Sequence, residues 1–162
     1  WQEWRNHRPR AGRLCFESLE SHPLTVAELR QVHALWPALA EFSELLLSGQ
    51  KDQQATLPTW LEWPDEGVAL RLHHVDVRVA LERIPTQSVD AWMLDGFSPA
   101  RNPAMWSAEV CQAIARTTRH GGTFATYTAA SRVRERLDAS GFVIHKVKGF
   151  AHKRDMLHGC KP

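Results

Sequence analysis

Residues 89–103 read VDAWMLDGFSPARNP and carry the clearest fold signal in the chain. Residues 89–94 are an apolar run typical of a buried strand, and Asp95 follows this run directly. One glycine and two prolines then enforce a loop. In open α/β sheets, ligands bind outside the carboxyl ends of the strands. We therefore expect the chemistry of this protein to lie in the loop that begins at Asp95.

Downstream of this loop, helical and extended patterns alternate. Residues 107–118 predict a helix that Gly121 and Gly122 stop, and residues 123–128 predict a strand. A second helix over residues 130–139 should close at Gly141. We predict that the last two strands, 142–147 and 156–160, pair antiparallel.

Upstream, residues 13–18 predict a short strand, after which Thr25 and Glu28 form a capping box. The helix that begins there should run to residue 46, bend or restart at Pro37, and face the core. Residues 59–75 then predict a β-hairpin, and residues 77–84 a short helix.

The alternation predicts an α/β fold with a mostly parallel sheet and an antiparallel strand at its C-terminal end. The length of 162 residues and the hydrophobic fraction of 43% suit one globular domain over residues 1–162, with the hairpin at about 59–75 as an insertion.

Composition excludes several protein classes. No apolar run approaches the roughly 18 residues of a membrane span, and the opening residues lack the apolar core of a secretory signal, so we expect a soluble cytoplasmic protein. Cys15, Cys111 and Cys160 are odd in number and form no CxxC pair. We predict neither disulfides nor a zinc ribbon, and interpret all three as buried thiols.

Charge is distributed unevenly along the chain. Residues 1–100 carry 9 basic and 14 acidic side chains, a net charge of −5, whereas residues 101–162 carry 11 and 4, a net charge of +7. The basic C-terminal part is able to bind phosphates, although solvated helix faces produce similar counts.

Three acidic residues each follow a predicted strand: Glu20, Asp76 and Asp95. Such carboxylates accept hydrogen bonds from the ribose hydroxyls and the adenine amino group of a nucleoside. The alternative for each residue is a helix cap or a solvated turn. His73 and His74 beside Asp76 suggest a metal, but adjacent strand residues point to opposite faces, and we exclude a metal site.

Three segments resemble the tRNA 5-methylaminomethyl-2-thiouridine methyltransferase family: VDAWMLDGFSPARNPAMW (89–106), GGTFATYTAASRVRERLDASGF (121–142) and KGFAHKRDML (148–157). FESLESHPLT (16–25), followed by a Trp-Pro helix, extends the likeness over nearly the whole chain. The resemblance implies a class I methyltransferase fold that uses S-adenosylmethionine to complete the wobble uridine of tRNA.

The resemblance also implies roles for single residues. Glu20 would bind the cofactor ribose and Asp76 would lie near adenine, while residues 95–99 meet the acceptor. Asp95 would serve both cofactor and catalysis, because a carboxylate orients an amine and relays its proton. Phe97 would stack on the flipped base or simply pack in the core, and Pro99 would stiffen the loop.

Lys148, Lys153 and Arg154 form a basic loop that suits the backbone of a tRNA stem-loop; the alternative is a solvated turn. Arg132, Arg134 and Arg136 add positive charge nearby in the sequence. In many family members this domain is fused to an FAD-dependent oxidoreductase, so a fused or associated partner of that kind is expected, with FAD bound there and not in residues 1–162.

The glycine-rich cofactor loop of the family does not occur in this sequence. It would follow a first strand located before Trp1, so we expect an N-terminally truncated domain. Two rivals remain open: a methyltransferase of the same fold that acts on another amine, and a non-catalytic fragment that binds RNA.

Overall fold

A computed structural model of the chain describes residues 1–9, 12–49, 59–95, 98–149 and 154–162. The α-helices in these ranges are α1 (Gln2–His7), α2 (Val26–His33), α3 (Ala40–Gly49), α4 (Val77–Arg83), α5 (Ala108–Thr117) and α6 (Ser131–Ala139). The strands are β1 (Leu14–Leu19), β2 (Thr59–Trp63), β3 (Val68–His73), β4 (Val89–Met93), β5 (Thr118–Thr126), β6 (Val143–Lys148) and β7 (Asp155–Cys160). This alternation confirms the predicted α/β class.

The chain divides into two compact units, a first unit over Trp1–Asp76 and a second unit over Val77–Pro162. The strands of the first unit form a sheet in the order β1-β3-β2, and those of the second form a sheet in the order β4-β5-β7-β6. Both sheets are mixed: β1–β3 and β4–β5 pair parallel, whereas β2–β3, β5–β7 and β6–β7 pair antiparallel. The organisation as one domain with an inserted hairpin stays a prediction.

In the first unit, β1 pairs parallel with β3 from Leu14↔Val68 to Leu19↔His73. Strands β2 and β3 form the antiparallel hairpin that the sequence predicts. Its turn is closed by the Gly67 amide, which donates to the Pro64 carbonyl at 3.0 Å. Gly67 has a φ of +61°, which a glycine adopts at low cost.

The capping box at the start of α2 is confirmed. The Thr25 hydroxyl accepts from the Glu28 amide at 3.2 Å, and the Glu28 carboxylate accepts from the Thr25 amide at 2.8 Å. The Thr25 hydroxyl also donates to the Glu28 carboxylate at 2.8 Å, and the two bonds that this carboxylate accepts from Thr25 hold the pKa of Glu28 below its usual range. The helix stops near Pro37, where a short 3₁₀ helix, Pro37–Leu39, precedes α3, so the restart is confirmed as well.

The prediction that this helical segment faces the core is wrong for α2 in the part of the chain that the structure describes. No residue of α2 is buried, and Leu35 is 74% exposed. In α3, Leu47 is buried. The two helices pack on each other. Apolar periodicity identifies a face that is suited to burial, but it does not provide the surface that covers that face.

In the second unit, the helices pack on one another and on the sheet. Helix α5 packs on α4, on α6 and on β5, and α6 packs on β6. The core under these helices consists of apolar side chains that are at most 5% exposed, including Leu81, Val110, Ile114, Phe124, Val133, Leu137 and Leu157.

The expectation that residues 89–94 form a fully buried strand is wrong. Strand β4 pairs with β5 but is an edge strand among the described residues, and Met93 is 74% exposed. Asp90 is exposed as well and forms an ion pair with Arg119 at 2.7 Å. An apolar run predicts a strand, whereas burial requires neighbours on both faces.

The prediction that Gly121 and Gly122 stop α5 is wrong, because both glycines lie inside β5. The helix ends at Thr117, whose hydroxyl donates to the Ile114 carbonyl at 2.9 Å. Val89 of β4 pairs with Thr118 of β5, but Ala91 pairs with Thr123. The extra residues of β5 between these two pairs form a bulge. A β-carbon on Gly122 would lie 2.6 Å from the Thr118 side chain. The close approach of the backbone to Thr118 at this position therefore requires a glycine.

Gly141 closes α6 as predicted. Its amide donates to the Asp138 carbonyl at 2.9 Å, and the Phe142 amide donates to the Leu137 carbonyl at 3.3 Å. With a φ of +94° at Gly141, these bonds form a Schellman motif. The antiparallel pairing of β6 with β7 is also confirmed.

The prediction of three buried cysteines holds only in part. Cys111 is buried, Cys160 is half-buried and Cys15 is exposed on β1, and all three are free thiols. Burial raises the pKa of the Cys111 thiol. Among the described residues, no helix is long and apolar enough to cross a membrane.

Gly159 in β7 supplies a test of the second sheet. A β-carbon there would lie 2.3 Å from the Val143 carbonyl oxygen and 2.6 Å from the Phe124 ring. We expect Gly159→Ala to lower the free energy of unfolding by about 2–3 kcal/mol through overpacking, as measured by urea denaturation. Gly141→Ala is the control, because its β-carbon meets nothing within 4 Å and the left-handed backbone costs only about 1 kcal/mol. Equal losses would contradict the packing of β7 against Phe124.

Candidate functional site

The second unit contains a cavity of about 460 Å³ at the edge of the sheet where β4 and β5 end and β7 begins. Cavities of this size accommodate small molecules and single nucleobases. The lining residues come from the loop after β4, the segment after β5 and the start of β7. They are Leu94, Asp95, Ser98, Pro99, Trp106, Thr126, Tyr127, Thr128, Ala129, Arg154 and Asp155.

Asp95 reaches the cavity because the chain leaves the sheet just before it. The Leu94 amide donates to the Ala125 carbonyl at 2.9 Å, which adds one hydrogen bond to the pairing of β4 with β5. The next residue, Asp95, is exposed and lines the cavity. Its carboxylate is therefore available to a bound molecule.

The loop after Asp95 turns back on itself through main-chain bonds. The Ser98 carbonyl accepts from the amides of Arg101 and Asn102, each at 2.9 Å. Pro99 lies half-buried in this turn and also lines the cavity, and the stiffening role expected of it stays a prediction. Phe97, the predicted base-stacking residue, lies outside the described residues.

Trp106 forms the buried wall of the cavity and is only 4% exposed. The guanidinium of Arg136 on α6 donates to the Trp106 carbonyl oxygen. Arg136 is half-buried, whereas Arg132 and Arg134 on the same helix are exposed. The three arginines that the sequence grouped together therefore have different environments, and Arg136 ties α6 to the cavity wall.

The segment after β5 forms another wall and is held by two side-chain hydrogen bonds. The Thr126 hydroxyl accepts from the Thr128 amide, and the Thr128 hydroxyl accepts from the Ala130 amide, both at 3.3 Å. These bonds lead the chain from β5 into α6, and Tyr127 lies between the two threonines. Hydroxyl-to-backbone bonds of this kind stabilise tight turns.

The start of β7 brings charge to the cavity. Arg154 is exposed, and its carbonyl accepts from the Gly149 amide at 3.0 Å. Asp155 forms an ion pair with Lys146 at 2.8 Å. Lys148 is exposed and lies opposite Asp155 in the register of β6 and β7. Lys148 and Arg154 thus lie at one end of this strand pair, while Lys153 lies outside the described residues.

Glu20 and Asp76 lie in the first unit, at the ends of neighbouring parallel strands. The Glu20 amide donates to the His73 carbonyl at 2.9 Å, which continues the pairing of β1 with β3. The Glu20 carboxylate accepts from the His22 amide at 2.8 Å. Asp76 is exposed and directly precedes α4. Both carboxylates therefore lie at one edge of the first sheet.

His73 is buried and not positioned as one of a cluster of metal ligands. Its Nε2 lies 2.8 Å from Glu17 Oε2, and Glu17 Oε1 lies 3.3 Å from the Arg71 guanidinium. The residues that the structure describes contain no group of three or more His, Cys, Asp or Glu side chains placed to hold a metal ion.

Trp106, Tyr127 and Asp155 line the cavity but have no role that the sequence predicts, although all three belong to the segments that carry the family resemblance. The sequence contains a signal for two of them. Tyr127 lies near the end of the predicted strand 123–128, and Asp155 directly precedes the predicted strand 156–160. Trp106 lies 11 positions after Asp95 in the chain and reaches the cavity only through the folded loop.

Residues 39–162 match a family model described as S-adenosyl-L-methionine-dependent methyltransferase. A protein of Nitrosospira multiformis, named tRNA 5-methylaminomethyl-2-thiouridine biosynthesis bifunctional protein MnmC, is 44% identical over 165 aligned residues that cover 100% of this chain and 26% of the relative. The protein of the same name from Ectopseudomonas mendocina is 43% identical over 98% of this chain and 24% of its own length. The chain thus spans about a quarter of the length of these curated relatives.

Solved structures show a similar fold. The crystal structure of MNMC2 from Aquifex aeolicus superimposes with a TM-score of 0.68 at 20% identity and covers 93% of this chain and 44% of that one. The antibiotic-resistance methyltransferase Kmr superimposes with a TM-score of 0.51 at 14% identity, over 94% of this chain and 89% of that one. At these identities the similarity is evidence for the fold alone.

The contact between Arg136 and Trp106 supplies a test of the cavity wall. We expect Arg136→Ala to lower the free energy of unfolding by about 1.5–3 kcal/mol, because a half-buried carbonyl loses a charged donor. The matched control is Arg134→Ala on the exposed side of the same helix, which should change stability by about 0.5 kcal/mol or less. Urea denaturation of both variants measures the difference. Equal stabilities would show that the Arg136 guanidinium does not support the wall.

Proposed function

We propose that this chain, which belongs to the family of S-adenosyl-L-methionine-dependent methyltransferases, methylates the amino group of 5-aminomethyl-2-thiouridine at the wobble position of tRNA. The product would be 5-methylaminomethyl-2-thiouridine. The observation that carries this proposal is the position of Asp95 on a cavity large enough to hold a nucleobase. The relatives named for the biosynthesis of this nucleoside, at 43–44% identity over at least 98% of the chain, support it.

Glu20 and Asp76 are the residues that we propose for the cofactor. Both carboxylates are exposed at the edge of the first sheet, and a carboxylate has about four acceptor positions, of which the His22 amide occupies one on Glu20. The ribose hydroxyls and the adenine amino group are hydrogen-bond donors, so these residues fit the nucleoside part of the cofactor. When bound, S-adenosylmethionine supplies an electrophilic methyl group on a sulfonium.

Asp95 is the residue that we propose for the acceptor amine. A primary amine is mostly protonated at neutral pH, but it attacks a methyl group only through a free lone pair. The Asp95 carboxylate would hold the ammonium form, orient it and relay its proton, with most of the rate gain coming from positioning. On the strength of the sequence resemblance, we propose Asp95 for the cofactor as well.

Phe97 and Pro99 complete the proposed acceptor site. Pro99 lines the cavity next to Ser98. On the strength of the sequence resemblance, we propose that Phe97 stacks on the flipped base or forms a wall beside it.

Lys148, Lys153 and Arg154 are the residues that we propose for the tRNA backbone. Lys148 and Arg154 are both exposed at the end of the β6–β7 pair, and Arg154 also lines the cavity. Phosphate contacts beside a cavity that can hold a base would position a stem-loop while the wobble base enters. Lys146 is less suited, because its ammonium group is already paired with Asp155.

The partner that we propose is an FAD-dependent oxidoreductase, fused or associated. The relatives are named bifunctional, and this chain spans only about a quarter of their length. A second activity that converts a carboxymethylaminomethyl group to the aminomethyl group would supply the acceptor. FAD would belong to that activity.

The proposal is tested by following the transfer of a labelled methyl group from S-adenosylmethionine to tRNA that lacks the final methyl group. Methylation of the wobble nucleoside is the expected result. Equal efficiency on the free nucleoside would favour a methyltransferase for small amines. RNA binding without any binding of S-adenosylmethionine would favour a non-catalytic fragment.

Asp95→Asn tests the acceptor role. We expect the rate of methyl transfer to fall by roughly 10²-fold or more, because the nearly isosteric amide keeps an acceptor but loses the charge that holds the ammonium and receives its proton. The affinity for S-adenosylmethionine, measured by calorimetry, should remain nearly unchanged. A loss of cofactor affinity equal to the loss of rate would instead place Asp95 in the cofactor site alone.

Lys153→Ala with Arg154→Ala tests the basic loop. We expect weaker tRNA binding and a slope of log affinity against log salt that is reduced by roughly two units, because each lost phosphate contact removes about one. Turnover of bound tRNA should not change. Arg119→Ala is the control, since it removes an exposed charge that is paired with Asp90. A fall in thermal stability with an unchanged slope would assign the pair a structural role.

A further inference from the structure

We infer that Tyr127 is an aromatic platform on which the substrate base stacks. This inference rests on the proposed function and adds a residue that selects a planar base at the same site. Tyr127 lines the same cavity as Asp95 but belongs to a different wall, the one that follows β5. A base that stacks on Tyr127 would lie in the cavity that also receives the Asp95 carboxylate.

Tyr127 differs from the other aromatic side chains that the structure describes in the second unit. Phe124 and Phe142 are buried and pack edge to face, with ring centroids 5.0 Å apart. Trp106 is buried, and the Trp92 indole donates to Thr118 Oγ1 at 3.1 Å. Tyr127 is 48% exposed. An exposed aromatic ring on a cavity wall is a common feature of binding sites.

The position of Tyr127 is fixed by its neighbours on both sides. Thr126 is buried at the end of β5 and pairs with Leu157 of β7. On the other side, the Thr128 amide is bound to the Thr126 hydroxyl, and the Thr128 hydroxyl holds the Ala130 amide. The backbone that carries the ring is thus set before any ligand arrives. Because the backbone is preorganised, only the side-chain torsions of Tyr127 are left to order when a base stacks on it, which favours affinity.

The cavity has the chemistry that a base with a cationic arm requires. Asp95 and Asp155 contribute carboxylates, while Tyr127 and Trp106 contribute aromatic surface. The charge of Asp155 is already balanced by Lys146, which leaves Asp95 as the carboxylate for the arm. A planar base against the tyrosine ring would therefore share the cavity with the Asp95 carboxylate, which accepts hydrogen bonds from an aminomethyl group. Single-stranded bases in RNA are commonly recognised by stacking of this kind.

The test compares two anticodon stem-loop RNAs that differ only at the wobble position, where one carries 5-aminomethyl-2-thiouridine and the other an abasic ribose. The wild-type protein should prefer the RNA with the base. We expect Tyr127→Ala to weaken binding of that RNA by roughly 5- to 150-fold, the usual range for one lost base–aromatic stack, and to leave the abasic RNA nearly unaffected. Tyr127→Phe should retain the preference, because stacking uses the ring.

Trp36→Ala is the matched control, since Trp36 is an exposed aromatic side chain that does not line the cavity. It should leave both affinities unchanged. The binding of S-adenosylmethionine and the thermal stability of Tyr127→Ala should match those of the wild type, which separates loss of stacking from loss of fold.

Three results would overturn the inference. Equal weakening of both RNAs by Tyr127→Ala would show that the side chain supports the backbone of the loop and not the base. Loss of the preference in Tyr127→Phe would assign the effect to the hydroxyl. A wild-type level of preference in Tyr127→Ala would exclude stacking. The proposed function fails separately, if the wild-type protein does not methylate the stem-loop that carries the base.

Discussion

The parallel pairing of β4 with β5 is the constraint on which the cavity depends. Its final hydrogen bond, from the Leu94 amide to the Ala125 carbonyl, determines where the chain leaves the sheet. Asp95 comes next on one strand, and Thr126 and Tyr127 come next on the other. Because parallel strands end at the same edge, one backbone pairing brings the carboxylate and the aromatic ring to the same cavity.

The antiparallel strand β7 completes the cavity for the opposite reason. It pairs with β5 from Thr123↔Cys160 to Thr126↔Leu157, so β7 begins at the edge where β5 ends. Arg154 and Asp155 therefore reach the cavity from the start of a strand. A parallel final strand would have placed its first residues at the far edge of the sheet. The reversal that the sequence predicts for the last two strands thus has a direct consequence for the site.

Much of the local structure could be predicted from the sequence. The Thr25–Glu28 capping box, the restart at Pro37, the hairpin turn and the closure at Gly141 depend on bonds between residues a few positions apart, and short motifs encode such bonds. Burial was predicted less well. Leu35 and Met93 stand in apolar patterns but are largely exposed, and Gly122 belongs to a bulge. Each of these outcomes depends on a neighbour from a distant part of the chain.

The sequence by itself determined the class of fold, the acidic residues at the strand ends and the resemblance to a family, because strand ends and motifs are local and readable in order. The tertiary structure alone decided which residues share the cavity. It brought Trp106, Tyr127 and Asp155 beside Asp95, and it separated Arg136, bound to a carbonyl, from the exposed Arg132 and Arg134. The physical reason is that the cavity is formed by segments that lie apart in the chain. These segments come together only when the strands pair.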